Sequence, residues 1–366
     1  MRILVSGALP EDQFQCLLPF VRAAHDLGND VLLTINEAMF RQYAEELLDI
    51  EICFVRADTT AQVLRSARQT RDGESPVPDV RNARIDSSSD DLEFAWSTVA
   101  GAASSFQPKL VLLHAEDFET LHLARGEGLP HAVVLSPGES PAFAGSDLTE
   151  DESNQPIAIL DPTPSSLKAS DRRAHDAAVP YRSYPYGFMK MLGENQPDRS
   201  RTQLLLASGR TNEAPGELNR VLEQLATLDV EVTVSTPTSS ADLRLPKNVA
   251  TISCGLPASL LTDMDLLIGA PGSSDVLAAA TRGIPLIVIA TSPDVPPLVA
   301  EAAKAGLAVV AAVEDVDEAV RTVLADGSYA RTAKSLAVEI GSRPPIGDAL
   351  LTVIARTFVA EIARSA

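Results

Sequence analysis

"MDLLIGAPGSSDVLAAATRGIPLIVIA", residues 264–290, decides the fold class of this chain. An apolar run from Leu266 to Ile268 enters a loop of small residues, Gly269 to Ser274, and an alanine-rich helix follows. The turn Gly283-Ile284-Pro285 then leads into a second apolar run. Strand, loop, helix, strand is the βαβ unit of a parallel sheet. Its loop aims backbone N–H groups and a helix N-terminus at an anion. The loop contains no Lys, Arg or His, and the first turn of the helix carries the acidic Asp275.

The same rhythm extends in both directions. Ile3–Val5, Leu17–Leu27, Val31–Thr34, Leu110–Leu113, Ala132–Leu135 and Ile157–Leu160 are short apolar runs alternating with helical patterns. A polar, proline-bearing stretch over 193–201 ("GENQPDRSR") reads as a linker. The alternation restarts beyond it, with Gln203–Ala207, a helix over 213–227, Val230–Ser235, Ala250–Ser253 and Ala308–Ala312. Residues 56–92 and 138–156 interrupt it and read as long loops. A chain of 366 residues has room for two cores. The expected architecture is therefore α/β, with two Rossmann-like doubly wound domains facing a cleft; one continuous sheet is the alternative. Open α/β sheets bind ligands at the carboxyl ends of their strands.

Charge excludes several function classes. Thirty basic against fifty acidic residues leave a formal charge of −20, which disfavours nucleic acid or an anionic membrane as partner. No apolar run approaches a bilayer span and no basic-then-apolar signal segment opens the chain. Three scattered cysteines, Cys16, Cys53 and Cys254, make neither a disulfide framework nor a zinc site, so a reducing, cytoplasmic location is expected. All five histidines precede residue 176, so the second half has no histidine-based catalytic or metal site of its own.

Six segments together resemble the GT-B glycosyltransferases that decorate bacterial natural products, a family 1-like group. They are "MRILVSGALPEDQFQCLLPFVRAAHDLGNDVLL" (1–33), "FQPKLVLLHAEDFETLHLARGEGLPHAVV" (106–134), "LLLASGR" (204–210), "LPKNVATISCGLPASLLTDMDLLI" (245–268), "AAATRGIPLIVI" (278–289) and "DGSYARTAKSLAVEIGSRPP" (326–345). The resemblance implies the GT-B fold. Residues 1–192 would form an acceptor-binding domain, 200–345 a nucleotide-sugar-binding domain, and 346–366 a helix returning to the first domain. It implies transfer of a (deoxy)sugar from a nucleoside diphosphate sugar, TDP- or UDP-linked, to a hydrophobic acceptor. No metal or other cofactor is required. A homodimer or a complex with a second glycosyltransferase is the implied assembly, and a noncatalytic partner of an active enzyme is the alternative function. An unrelated two-domain binder or epimerase-type enzyme has only the βα rhythm behind it.

Sugar transfer requires stabilisation of the departing diphosphate and a base for the acceptor. Ser208 and Gly209 match the family's donor loop, and Arg210 beside them is read as a bidentate phosphate ligand; an arginine paired with Glu213 or Glu217 is the alternative. Gly272, Ser273 and Ser274 would add N–H and hydroxyl contacts, or simply cap the helix. Cys254, Gly255 and Leu256 fall at the implied nucleobase pocket, with Cys254 where an aromatic is usual. Asp294 matches the acid of a sugar-contacting Asp-Gln pair, with Val295 at the Gln position. Gly269 and Ala270 stand where relatives place histidine. Asp12 and Gln13 stand at the family's Gly-His, whose histidine is the base. Asp12, in the loop after the first strand, and Asp117 and His114, after the strand Leu110–Leu113, are the base candidates. His131 is read as packing and His25 as a surface residue. Trp96 is read as core.

Overall fold

The computed structural model describes residues 1–55, 90–139, 155–168, 177–183, 201–207, 215–235, 244–252, 260–290 and 295–365. The chain divides into two compact units. The first comprises Met1–Asp161, Arg173–Tyr181 and Pro344–Ala366; the second comprises Pro162–Arg172 and Arg182–Arg343.

The first unit is built on seven parallel strands: β1 (Arg2–Ser6), β2 (Asp30–Ile35), β3 (Glu51–Phe54), β4 (Leu110–His114), β5 (His131–Val134), β6 (Ala158–Asp161) and β7 (Ala178–Pro180). Their order is 3-2-1-4-5-6-7. The second has six: β8 (Thr202–Ala207), β9 (Val230–Ser235), β10 (Val249–Ile252), β11 (Leu266–Gly269), β12 (Leu286–Ile289) and β13 (Ala308–Ala311). Their order is 10-9-8-11-12-13, again all parallel. Each sheet thus reverses direction beside its first strand, at β1/β4 and at β8/β11. Such switch points open a crevice at the carboxyl ends of the strands.

Central strands read as unbroken apolar runs because helices cover both faces of a parallel sheet. Ile3, Leu4, Val5 and Leu110 to Leu113 are buried, as are Leu266 to Ile268 and Leu286 to Val288. In the second unit, Leu267, Val276, Ala279, Val299 and Leu336 pack on one side of the sheet. Leu266, Ile268, Leu222, Val316 and Val320 pack on the other. The quoted stretch closes as the sequence leads one to expect. Helix Ser273–Arg282 ends at Gly283, whose φ of 71° is left-handed, and the Ile284 N–H returns to the Ala279 carbonyl. A Cβ at Gly283 would also lie 3.3 Å from that of Ala337, so glycine serves both the turn and the close approach of helix Gly327–Gly341.

Two segments depart from simple order. Helix Ile346–Ser365 belongs to the first unit, buries Ala349, Leu350, Val353 and Thr357, and packs against helix Glu11–Asp26. The guanidinium of Arg356 fastens it by donating to the carbonyls of Ala177 (2.8 Å) and Ile157 (3.2 Å). Residues 162–172 leave the first unit for the second. Buried Arg343 holds their start, donating to the carbonyls of Pro162 (3.0 Å) and Thr163 (2.6 Å). Helix Asp90–Phe106 begins inside the stretch read as a loop to residue 92. The rest of that stretch, 56–89, lies outside the described residues, as do 140–154 and the linker through residue 200. The side chain of Trp96 is likewise outside them.

Candidate functional site

The described residues place polar groups at both switch points. In the second unit, β11 ends at Gly269 and helix Ser273–Arg282 starts after three intervening residues. Gly272 is the N-cap residue and has no side chain with which to cap the helix; Ser273 and Ser274 open its first turn. Asp275, in the first turn, is buried and folds back over the strand end. An ideal Cβ at Gly269 would lie only 2.4 Å from its Oδ2. The carboxylate therefore occupies the space that any side chain at position 269 would need. Its charge beside the helix N-terminus is favourable for the fold, with no phosphate required to account for it. Ser208, Gly209, Arg210, Cys254, Gly255, Leu256 and Asp294 lie outside the described residues.

In the first unit the β1/β4 edge gathers residues far apart in sequence. Asp12 falls in the first turn of helix Glu11–Asp26, not in a loop, because the helix begins directly after Pro10. The side chain of Asp12 is outside the described set. Asp117 is the N-cap of helix Phe118–Gly126, and its carboxylate accepts from the Thr120 N–H at 3.0 Å. Burial pushes its carboxyl pKa up, while hydrogen bonds from the Ser6 hydroxyl, the Thr120 N–H and the Thr120 hydroxyl pull it down. The Ser6 and Thr120 hydroxyls lie 2.9 Å apart, so this cap also ties β1 to the helix.

His114 is fully buried at the end of β4, and burial pushes its pKa down to about 4. The Glu116 N–H donates to its Nδ1 at 3.2 Å, so the neutral ring carries its proton on Nε2 and donates to Ser136 Oγ at 2.8 Å. That direction is opposite to the one a histidine needs to activate a serine, where the ring nitrogen accepts from the hydroxyl. The Ser136 N–H in turn donates to Glu139 at 2.7 Å. His114 and Asp117 thus hold the end of β4 in shape. His131, buried on β5, lies 3.1 Å from the Leu129 carbonyl through Nδ1, and His25 is half-buried near Asp26.

Between His114 and Asp117 stands Glu116, half-buried, which accepts a hydrogen bond from Nε2 of buried Gln13. Sequence reasoning chose its two neighbours. The signal for reading this stretch differently was the phase of the helix: an Asp immediately before "FETLHLARG" is a cap, which assigns Asp117 to structure and leaves Glu116. Among the described residues no three His, Cys, Asp or Glu side chains form a group suited to a metal ion.

Two solved structures match this architecture over almost its whole length: the spinosyn forosaminyltransferase SpnP (TM-score 0.77, 19% identity, 98% of this chain and 99% of that one) and the glycosyltransferase SnogD from Streptomyces nogalater (0.75, 22%, 98% and 99%). The chain has the GT-B fold. A third GT-B match is the spinosyn rhamnosyltransferase SpnG complexed with thymidine diphosphate (0.73, 21%, 96% and 99%). Residues 219–353, most of the second GT-B unit, match the family model described as erythromycin biosynthesis protein CIII-like, C-terminal domain. A search of curated proteins returned no significant match. No helix among the described residues is long and apolar enough to cross a membrane.

Proposed function

We propose that this protein is a metal-independent glycosyltransferase that moves a (deoxy)sugar from a TDP- or UDP-linked donor to a hydrophobic natural product. The match of residues 219–353 to the erythromycin biosynthesis family carries this reading; that segment spans the β11 loop and helix, whose backbone N–H groups are the proposed diphosphate contacts. Fold likeness to three sugar transferases of antibiotic type adds support. The donor is a substrate, and no resident cofactor is part of the proposal. In this reading Arg210 supplies the positive charge that the 269–274 loop lacks. Ser208, Gly209 and the backbone of Gly272–Ser274 complete the phosphate contacts, Cys254–Leu256 border the base, and Asp294 meets the sugar. A cytoplasmic homodimer, or a complex with a second glycosyltransferase, is the proposed assembly.

Calorimetric titration with TDP and UDP tests the reading. Micromolar binding of one of them supports it. Absence of binding of both at millimolar concentration sinks it and favours the noncatalytic partner, in which Asp275 has replaced the ligand's charge at the helix terminus.

A further inference from the structure

We propose that Glu116 is the general base of the first unit and that Gln13 is its positioning residue. This assignment rests on the glycosyl-transfer reading. Transfer to a hydroxyl needs a proton acceptor within hydrogen-bond reach, at the carboxyl edge of the sheet where ligands bind. Near the ends of β1 and β4, the described acids and histidine include Glu11, His114, Glu116, Asp117 and Glu139. His114 is fully buried with both ring nitrogens engaged. Asp117 is buried and caps a helix. Glu139 holds the Ser136 N–H with little of its side chain exposed. Glu11 receives Gln15, Gln42 and the Tyr43 hydroxyl on one oxygen.

Glu116 differs from these. It is half-buried, so water and substrate can reach it, and its orientation is set by an amide from another element. Gln13 is 3% exposed, and its choice of donor end is fixed by the carboxylate it faces. Its Oε1 is buried and has no hydrogen-bond partner among the described residues. A hydroxyl-bearing acceptor brings an O–H for the half-buried carboxylate to deprotonate, while buried Gln13 holds that carboxylate in place. In the reaction the acceptor O–H proton passes to the Glu116 carboxylate. The acceptor oxygen bonds to the anomeric carbon as the bond from that carbon to the phosphate oxygen breaks, and the electron pair leaves with the nucleoside diphosphate.

Water is the simplest acceptor that uses the same base. The test therefore follows release of TDP or UDP from TDP-glucose and UDP-glucose by the full chain, with nucleotide affinity measured in parallel. Glu116→Gln is expected to lower the release rate about 10²–10⁴-fold with nucleotide affinity unchanged. Glu116→Asp should recover part of the loss. Gln13→Leu should lower kcat while sparing nucleotide affinity, and the Gln13→Leu/Glu116→Gln double variant should fall no further than Glu116→Gln alone, as expected of residues acting as one unit. A structural glutamine would give additive losses. Full activity of Glu116→Gln, or a collapse in Asp12→Asn with Glu116→Gln intact, overturns the assignment but leaves the glycosyltransferase reading standing. A parent that binds nucleotide yet releases none from either donor also counts against a base at Glu116. A parent that neither binds nor cleaves overturns both.

Discussion

The pairing of Gly269 with Asp275 makes a definite energetic prediction. A Cβ at position 269 would lie 2.4 Å from Oδ2, 3.1 Å from Cγ and 3.4 Å from Cβ of Asp275. Optimal separations of such atoms are about 3.5–4.0 Å, so in Gly269→Ala the carboxylate must swing by about 1 Å out of a buried position. Overpacking of this kind costs about 1–3 kcal/mol. Asp275→Ala loses the favourable interaction with the helix terminus, about 0.3–1 kcal/mol, together with whatever the carboxylate contributes in packing. The informative measurement is the double variant. With the carboxylate gone, only the Asp275 Cβ faces the new methyl, at an ordinary distance, so the cost of Gly269→Ala should largely disappear. The coupling should therefore be about 1–2 kcal/mol in the rescuing direction. Calorimetric melting of the four proteins measures it, each kcal/mol moving the second unit's transition by roughly 2–4 °C. Additivity within about 0.5 kcal/mol would refute the placement of the carboxylate over Gly269.

Two other outcomes follow from named contacts, and the rest from the proposed donor site. His114 is neutral when folded and titrates near 6.5 when unfolded, so the unfolded chain takes up the proton first and stability falls as pH drops from 6.5 towards 4. The loss is at most about 3 kcal/mol, and His114→Gln should flatten that limb of a urea-midpoint against pH plot. Arg343→Met strands the carbonyls of Pro162 and Thr163; it should cost about 2–4 kcal/mol in a urea melt, and a neutral result would argue against the clamp. Arg210→Ala should weaken TDP or UDP binding by about one to two powers of ten in calorimetry without moving the melting temperature, whereas Asp275→Thr should tighten it by removing a like charge. Parent-like affinity in Arg210→Ala would return the missing charge to another residue.

Periodicity and punctuation were enough to read the architecture. Apolar runs such as Leu110–Leu113 and Leu266–Ile268, each followed by a helical pattern, specify parallel strands buried on both faces, and Gly283 marks where a helix must turn. These are local properties, since strand and helix periods and the left-handed turn are decided within about a dozen residues. The meaning of the polar residues was not local. Asp117 reads equally well as a base or a cap until the first residue of helix Phe118–Gly126 is known, and Asp275 shows its role only when its carboxylate is seen over Gly269. Gln13 meets Glu116 across 103 positions because β1 and β4 are neighbours in the sheet, and Arg343 reaches Pro162 across 181. A chain advertises which side chains it would bury through their spacing. Which charge ends beside which amide depends on strand order and on the last ångströms of side-chain placement, and those belong to the tertiary structure.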